Sequence, residues 1–117
     1  MTNWKAIREI VLERCGNYCE LCGKVLTNDF ALHHRKLRSR GGKDSIENII
    51  ALHHECHNFG NHAVHFNIKK STESGHIVPR HAEPSEYPLT LPNGSIVTLS
   101  SNGSYNYLER KEDNYGW

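Results

Sequence analysis

The sequence is poor in the residues from which large hydrophobic cores are built. Only 37% of its 117 residues are apolar, the aromatic share is 9%, and there is a single methionine. A chain of this length forms one domain. With so little apolar material it needs a further source of stability, and a structural metal ion is the obvious one. We therefore expect one small domain that is held together by metal.

Long apolar runs are also missing. No stretch of about eighteen apolar residues occurs, and the first residues do not form a basic segment followed by an apolar one, as secretory signals do. The sequence therefore predicts no membrane partner and a reduced, cytoplasmic environment. The cysteines agree with this interpretation, because Cys15, Cys19 and Cys22 fall within eight residues. That spacing is typical of a metal knuckle rather than of a disulfide framework.

Acidic residues are absent from one basic stretch of the chain. Residues 1–70 carry eleven Lys and Arg against seven Asp and Glu, whereas residues 71–117 carry three against six. The basic excess is concentrated in Arg35, Lys36, Arg38, Arg40 and Lys43, and no acidic residue lies between these five. A run of like charge is usually a solvated loop. Beside a cluster of histidines it becomes a candidate surface for phosphate groups.

Local patterns predict the secondary structure of the first seventy residues. A cap at Thr2 or Asn3 and an apolar stripe predict a helix over about 4–14. Further along, β-branched and apolar runs and helical spacing predict two short strands and a second helix bent at Gly60-Asn61. These three elements cover about 30–35, 49–52 and 54–67.

The character of the chain changes after residue 70. All four prolines fall there, and Asn93-Gly94 and Asn102-Gly103 are hairpin turn signals. They predict flanking strands near 96–99 and 105–108, with a frayed polar end over 111–117. We predict an α+β fold in which residues 1–70 form a zinc-stapled core. Residues 71–117 then form a small β-hairpin or meander, as an extension of the same domain.

Two pairs of soft ligands can close around one ion. A two-residue gap lets both members of a pair reach the same tetrahedral metal, and four protein ligands leave no open position. We therefore predict a structural Zn²⁺ ion held by Cys19, Cys22, His53 and Cys56. Two alternatives remain: Cys15 can compete as a ligand, although the end of a helix favours a small buried residue. His54 can replace His53, with a poorer spacing.

The remaining histidines suggest phosphodiester chemistry. Hydrolysis of a phosphodiester needs an activated water and a cation near the developing charge. His33 and His34 are neighbours in a predicted strand and point to opposite faces. One can ligate an ion while the other acts as general base, provided that the strand is bent locally. Asn48 can bridge backbone or imidazole groups and hold the base in one tautomer, and His57 can supply a second ligand.

The order of these motifs resembles that of the HNH endonuclease family. The residues that carry the resemblance are Cys19-x-x-Cys22-Gly, His33-His34-Arg35, Arg40-Gly41-Gly42, Asn48-Ile-Ile-Ala-Leu52 and Cys56-His57. The resemblance covers about 19–67 and implies a ββα-metal core, in which a hairpin and a helix grip one divalent ion. More weakly, the tail resembles that of small phage-type members, in Val78-x-Arg80, Pro84, Pro88, Gly94 and Gly103. A phage-encoded chain would act in the host cytoplasm.

The resemblance implies a role for each matching residue. His33 matches the metal ligand that precedes the base, His34 the base, Asn48 the middle Asn, and His57 the final metal-binding His.

Two positions depart from the family's pattern. The family usually has Cys where this chain has His53. A further family His, four residues after the Cys-His pair, is replaced here by Asn61. His62 and His65 are the candidates for its role, and Val64-His65-x-Asn67 favours His65.

The implied activity is that of a metal-dependent endonuclease that nicks or cuts double-stranded DNA. The expected catalytic ion is Mg²⁺ or Mn²⁺. The five basic residues between 35 and 43 are expected to position phosphates without reading sequence. The alternative is a non-catalytic zinc-stapled DNA-binding module, which would have no use for the His33, His34 and His57 arrangement. A third possibility is a zinc protein that binds another protein.

Overall fold

A computed structural model describes residues 2–59 and 63–111. Helices and strands both occur, so the predicted α+β class is confirmed. Within the two described ranges, every helix is too short or too polar to cross a membrane.

The first helix, α1 (Trp4–Cys15), confirms the helix predicted over 4–14. Of the two candidate caps, the structure uses Asn3, whose side chain accepts a backbone N–H of the first turn at 3.1 Å. The helix ends at Gly16, which adopts the left-handed conformation with φ 62°. Ile7 and Val11 form its buried face, which packs against the second strand.

Two short antiparallel strands form the hairpin that carries the His33-His34 pair. They are β1 (Ala31–His34) and β2 (Ile49–Leu52), and His33 lies opposite Ile50 in their register. Both strands confirm the prediction. All four residues of β2 are buried, as its β-branched sequence indicates. The hairpin therefore has a fixed backbone on which the two histidines are displayed.

The single helix predicted over 54–67 is wrong. The chain instead forms a π-helical turn (Glu55–Phe59), a 3₁₀ turn (Val64–Phe66) and the short helix α2 (Ile68–Glu73). A continuous helix is impossible because Ala63 is extended, with φ −63° and ψ 148°. The bend predicted at Gly60-Asn61 lies outside the described residues.

The C-terminal part is an antiparallel meander of β3 (Leu89–Thr90), β4 (Ile96–Leu99) and β5 (Tyr105–Glu109), in that order. Both predicted hairpin turns are confirmed. Their glycines, Gly94 and Gly103, have φ 90° and 86°, which explains why glycine stands there. Beyond Lys111, the predicted frayed end lies outside the described residues.

One hydrophobic cluster joins the two parts of the chain. It contains Cys19 and Cys56 together with Ile50 of β2, Leu89 of β3 and Val97 of β4, all of them buried. The meander therefore packs on the same core as the cysteines. The division at residue 70 stays a prediction.

A buried carboxylate adds a polar link across this core. Glu20 accepts hydrogen bonds from Arg14 (2.8 Å), the Ala51 backbone N–H (3.0 Å) and the Tyr105 hydroxyl (2.6 Å). These partners belong to α1, β2 and β5. Burial and the nearby Glu20 raise the pKa of Tyr105, so its hydroxyl stays a donor. Removing one partner would leave a buried charge unsatisfied, which is strongly destabilising.

Candidate metal centres

The structure brings together the four residues predicted to hold zinc. The ligand atoms of Cys19, Cys22, His53 and Cys56 all lie within 4.8 Å of one another. A tetrahedral zinc ion with Zn–S bonds of about 2.3 Å would separate neighbouring sulfurs by roughly 3.8 Å. The first and the last of these residues along the chain, Cys19 and Cys56, are buried. The cluster could therefore hold a structural zinc ion with all four positions filled by protein.

A tight turn presents the first two sulfurs. Tyr18 and Val25 form an antiparallel bridge, and Gly23, between them, has φ 78°. Inside the turn, the backbone N–H groups of Leu21 and Cys22 point at Cys19 Sγ, at 3.4 and 3.5 Å. Burial opposes ionisation of this thiol, but backbone hydrogen bonds outweigh it and lower the pKa of Cys19. The turn thus favours the thiolate, the form that binds metal.

His53 offers a suitable nitrogen where the family usually has a cysteine. Its Nε2 donates to the Val25 carbonyl at 2.8 Å, so the neutral ring keeps its lone pair on Nδ1. That Nδ1 lies 3.2 Å from Cys22 Sγ. A hydrogen bond that fixes the tautomer of a ligating histidine is the usual second shell of a zinc site. Burial and then Cys19 raise the pKa of Cys56, an effect that a divalent cation would oppose.

Neither alternative zinc ligand joins the cluster. Cys15 is half-buried, its thiol donates to the Leu12 carbonyl at 3.6 Å, and burial raises its pKa to about 11. His54 instead pairs with Asp29, through Nε2 and Oδ1 at 2.8 Å.

Three of the remaining histidines form a second cluster. The ligand nitrogens of His33, His57 and His65 also lie within 4.8 Å of one another, and the Nε2 atoms of His57 and His65 are 3.1 Å apart. The cluster joins β1, the π-helical turn and the 3₁₀ turn. His65, the candidate favoured by the Val-His-x-Asn pattern, is therefore positioned as a third donor. His62 lies outside the described residues.

Burial disfavours the protonated form of two of these imidazoles. Burial lowers the pKa of His33 to about 3, and burial followed by the charge of His65 lowers the pKa of His57 to about 4. His33 Nε2 donates to the buried carbonyl of His76 at 2.8 Å, which leaves its Nδ1 as the free lone pair. Unprotonated nitrogens on His33 and His57 are suited to binding a cation.

The chemistry of these donors limits the choice of ion. Imidazole suits zinc, nickel, iron and copper, whereas Mg²⁺ prefers oxygen ligands in octahedral geometry. Of the two ions named from the sequence, Mn²⁺ fits three nitrogens better than Mg²⁺. Three protein ligands also leave coordination positions for water and substrate, which distinguishes this cluster from the four-donor one.

His34 lies on the opposite face of β1, as alternation along a strand requires. Its Nε2 is 2.7 Å from Asp44 Oδ1, and its ring meets Trp4 edge-on at 5.8 Å. It also lines an open depression with Arg8, Phe30, Leu32 and Arg38. Asp44 was not among the residues singled out in the sequence.

Of the two kinds of group that Asn48 was expected to bridge, backbone and imidazole, the structure shows contacts with backbone groups. Asn48 Oδ1 accepts the Lys36 N–H at 2.7 Å, and its Nδ2 donates to the carbonyls of Lys36 and Lys43 at 2.9 and 3.0 Å. The buried amide therefore clamps both ends of the loop between β1 and β2. Gly42 permits this closure, because a Cβ there would overlap the Lys36 carbonyl oxygen.

The phosphate contact predicted for Arg35 is wrong. This residue is completely buried, although burial lowers its pKa only to about 10 and it stays charged. Its guanidinium donates at 2.7–3.0 Å to the carbonyls of Glu47, Gly75, Pro84 and Tyr87. Arg35 therefore fastens the segment after α2 to the hairpin.

The prediction is wrong for Lys36 as well. Only 8% of this residue is exposed, and its Nζ donates to the Ala82 carbonyl at 3.0 Å. Arg38, Arg40 and Lys43 are exposed. Arg38 also binds Asp44, at 2.9 Å. Three of the five basic residues remain as candidates for contact with phosphate.

A β-hairpin and the turns that follow it bring three histidines to one point, beside a second cluster of three cysteines and a histidine. Both groups of donors could hold a metal ion. Residues 19–62 of the 117 match the family model described as HNH endonuclease. Comparisons with curated proteins and with solved structures returned no significant match.

Proposed function

We propose that this protein is a metal-dependent HNH endonuclease that hydrolyses phosphodiester bonds in double-stranded DNA. The observation that carries the proposal is the convergence of His33, His57 and His65. His34 follows His33 in β1 on the opposite face of the strand, so a joint role requires a local bend that brings both rings to the same phosphate. A DNA-binding module without activity would need neither the three-histidine cluster nor His34.

The three-histidine cluster would hold the catalytic ion. A divalent cation bound there supplies positive charge for the phosphoryl oxygens and the leaving 3′-oxygen. The protein's own contribution is the geometry of the donors. His33 is fixed by the His76 carbonyl, and His57 and His65 approach each other through their Nε2 atoms. All three rings therefore present nitrogen to the same point.

His34 would act as the general base. It would take a proton from the attacking water as the water oxygen bonds to phosphorus and the bond from phosphorus to the 3′-oxygen breaks. The leaving oxygen then takes a proton from solvent. Histidine suits this task because its ordinary pKa lies near neutrality. In the structure, 18% of the His34 side chain is exposed, at an open depression.

Exposed basic side chains that follow His34 in the chain would position the DNA. Arg38, Arg40 and Lys43 follow His34 in the chain, and Arg8 and Arg38 line the depression that contains it. Contacts of this kind bind phosphates and orient the duplex without reading its sequence. The four-donor cluster would hold structural Zn²⁺, and reduced thiols would place the protein in a cytoplasm.

Plasmid nicking tests the proposal. Zinc-loaded protein is incubated with supercoiled plasmid plus EDTA, Mg²⁺, Mn²⁺, Ni²⁺ or Zn²⁺, in parallel with His34→Ala and with His81→Ala, which changes an exposed histidine. We expect cleavage that EDTA abolishes, that Mn²⁺ or Ni²⁺ supports better than Mg²⁺, and that His34→Ala alone loses. Salt-dependent DNA binding without cleavage under any metal would favour the non-catalytic module instead.

A further inference from the structure

We propose that Asp44 is a positioning residue for His34, and that it fixes the imidazole proton on Nε2 so that Nδ1 accepts the proton of the attacking water. This inference rests on the proposed nuclease function. It adds a residue that the sequence analysis did not consider.

The contact between the two side chains is short. Asp44 Oδ1 lies 2.7 Å from His34 Nε2. An ionised carboxylate only accepts hydrogen bonds, and a neutral imidazole has a single N–H. The proton of the neutral ring must therefore lie on Nε2, which leaves the lone pair on Nδ1.

Asp44 is itself held in place and ionised. Its Oδ2 accepts the Thr2 hydroxyl at 2.7 Å, and its Oδ1 accepts two hydrogen bonds from Arg38, at 2.9 and 3.2 Å. Hydrogen bonds from Thr2, His34 and Arg38, in that order of importance, hold the pKa of Asp44 below its usual range. The acceptor is therefore negative and fixed in direction.

The loop explains how a residue ten positions away reaches His34. Asn48 donates to the carbonyl of Lys43, the residue just before Asp44, at 3.0 Å. The same amide binds Lys36 near the start of the loop. By closing the loop, Asn48 brings Asp44 back to the strand. The middle Asn therefore supports the base indirectly, through Asp44.

The second ring nitrogen of His34, Nδ1, is available to accept a proton. Among the residues that the structure describes, none makes a hydrogen bond to His34 Nδ1, and the edge contact with Trp4 restrains the ring. In the proposed step, the proton leaves water for Nδ1, the water oxygen bonds to phosphorus, and the leaving 3′-oxygen takes a proton from solvent. The Nε2 proton stays on His34, hydrogen-bonded to Asp44, and the Asp44 carboxylate stabilises the imidazolium that forms, as the carboxylate of a catalytic triad does.

The first test reads the tautomer directly, without any cleavage. Zinc-loaded protein is labelled with ¹⁵N-histidine, and the His34 signals are assigned by their loss in His34→Ala. At a pH where the ring is neutral, we expect the Nε2–H form to dominate in the wild type. In Asp44→Ala we expect a mixture of the two forms.

The second test is kinetic, at saturating DNA. We expect Asp44→Ala to lower the single-turnover cleavage rate about ten- to a hundredfold, less than loss of the base itself. Zinc content should not change, and DNA affinity should not fall, because the substitution also releases Arg38. Asp44→Glu should recover part of the rate. Glu86→Ala, which removes an exposed carboxylate elsewhere, is the matched control and should leave the rate unchanged.

A double substitution separates positioning from a merely structural role. If Asp44 acts through His34, then His34→Ala/Asp44→Ala should cut no more slowly than His34→Ala alone. A further loss in the double variant, or an unchanged tautomer in Asp44→Ala, would overturn the role of Asp44 while the nuclease function stands. A wild-type protein that is inactive with every metal would overturn the proposed function, and the catalytic role of Asp44 with it.

Discussion

The four-donor cluster and the three-histidine cluster use similar residues in opposite ways. The first contains three thiols, and backbone N–H groups already point at one of them. The second contains only imidazoles, and burial lowers the pKa of two of them, His33 and His57. Four filled positions with sulfur suit an ion that holds the fold, whereas three nitrogens with open positions suit an ion that meets substrate. The comparison predicts that the two clusters fail in different ways.

The largest expected effect is the loss of the four-donor cluster. Cys22→Ser should remove zinc and unfold the protein, because the binding free energy of structural zinc, about 10–16 kcal/mol in small peptides, is at least comparable to the whole stability of a typical domain, about 5–15 kcal/mol. Circular dichroism measures the loss of folded structure, and elemental analysis measures the loss of zinc. Cys15→Ser is the control: it should keep about one zinc per chain. A folded, zinc-free Cys22→Ser protein would contradict the structural role of the cluster.

Substitutions at His34, the proposed base, and at His57, a proposed ligand of the catalytic ion, should leave the fold intact and remove activity. His34→Ala should lose about two or more orders of magnitude in cleavage rate while zinc content and DNA affinity stay the same. His57→Ala removes a ligand instead, so a higher concentration of Mn²⁺ should restore part of its activity. No metal should restore His34→Ala. Near wild-type cutting by His34→Ala would exclude it as the base.

The two clusters also show which features of the site can be predicted from the sequence. The spacing of Cys-x-x-Cys and His-x-x-Cys predicts which donors meet, because a two-residue gap fixes the separation within each pair. The alternation along β1 predicts that His33 and His34 face opposite ways. The burial of the Arg35 side chain could not be predicted in this way, because the four carbonyls that accept its hydrogen bonds lie 12 to 52 residues away along the chain. No local pattern reveals them.

Neither cluster provides positive side chains for binding DNA, so the exposed part of the basic loop should contribute most of the salt dependence. Arg40→Ala/Lys43→Ala should weaken binding on all sequences, and the slope of log affinity against log salt should flatten by roughly 2. Lys24→Ala/Lys111→Ala removes the same charge from other exposed sites and is the control. If both double variants lose the same DNA affinity, the loop contributes only through the net charge of the protein and not through specific phosphate contacts.

The smallest effect is a difference in acid stability. His33 has an ordinary pKa of 6.5 that burial lowers to about 3 in the folded protein. Between these two values the unfolded chain binds a proton that the folded chain excludes, so the stability present above pH 6.5 is lost as the pH falls. The loss can reach about 1.4 kcal/mol per pH unit for one such proton.

His33→Gln isolates this effect. The amide can still donate to the His76 carbonyl but cannot be protonated, so the variant should lose less stability than the wild type on acidification. Urea unfolding at several pH values above 5, without added catalytic metal, measures the difference. A zinc indicator present in each sample confirms that the four-donor cluster stays loaded, because release of zinc would change both proteins alike. If the two proteins have parallel pH profiles, His33 is protonated as readily when folded as when unfolded, and a buried His33 that excludes the proton is ruled out.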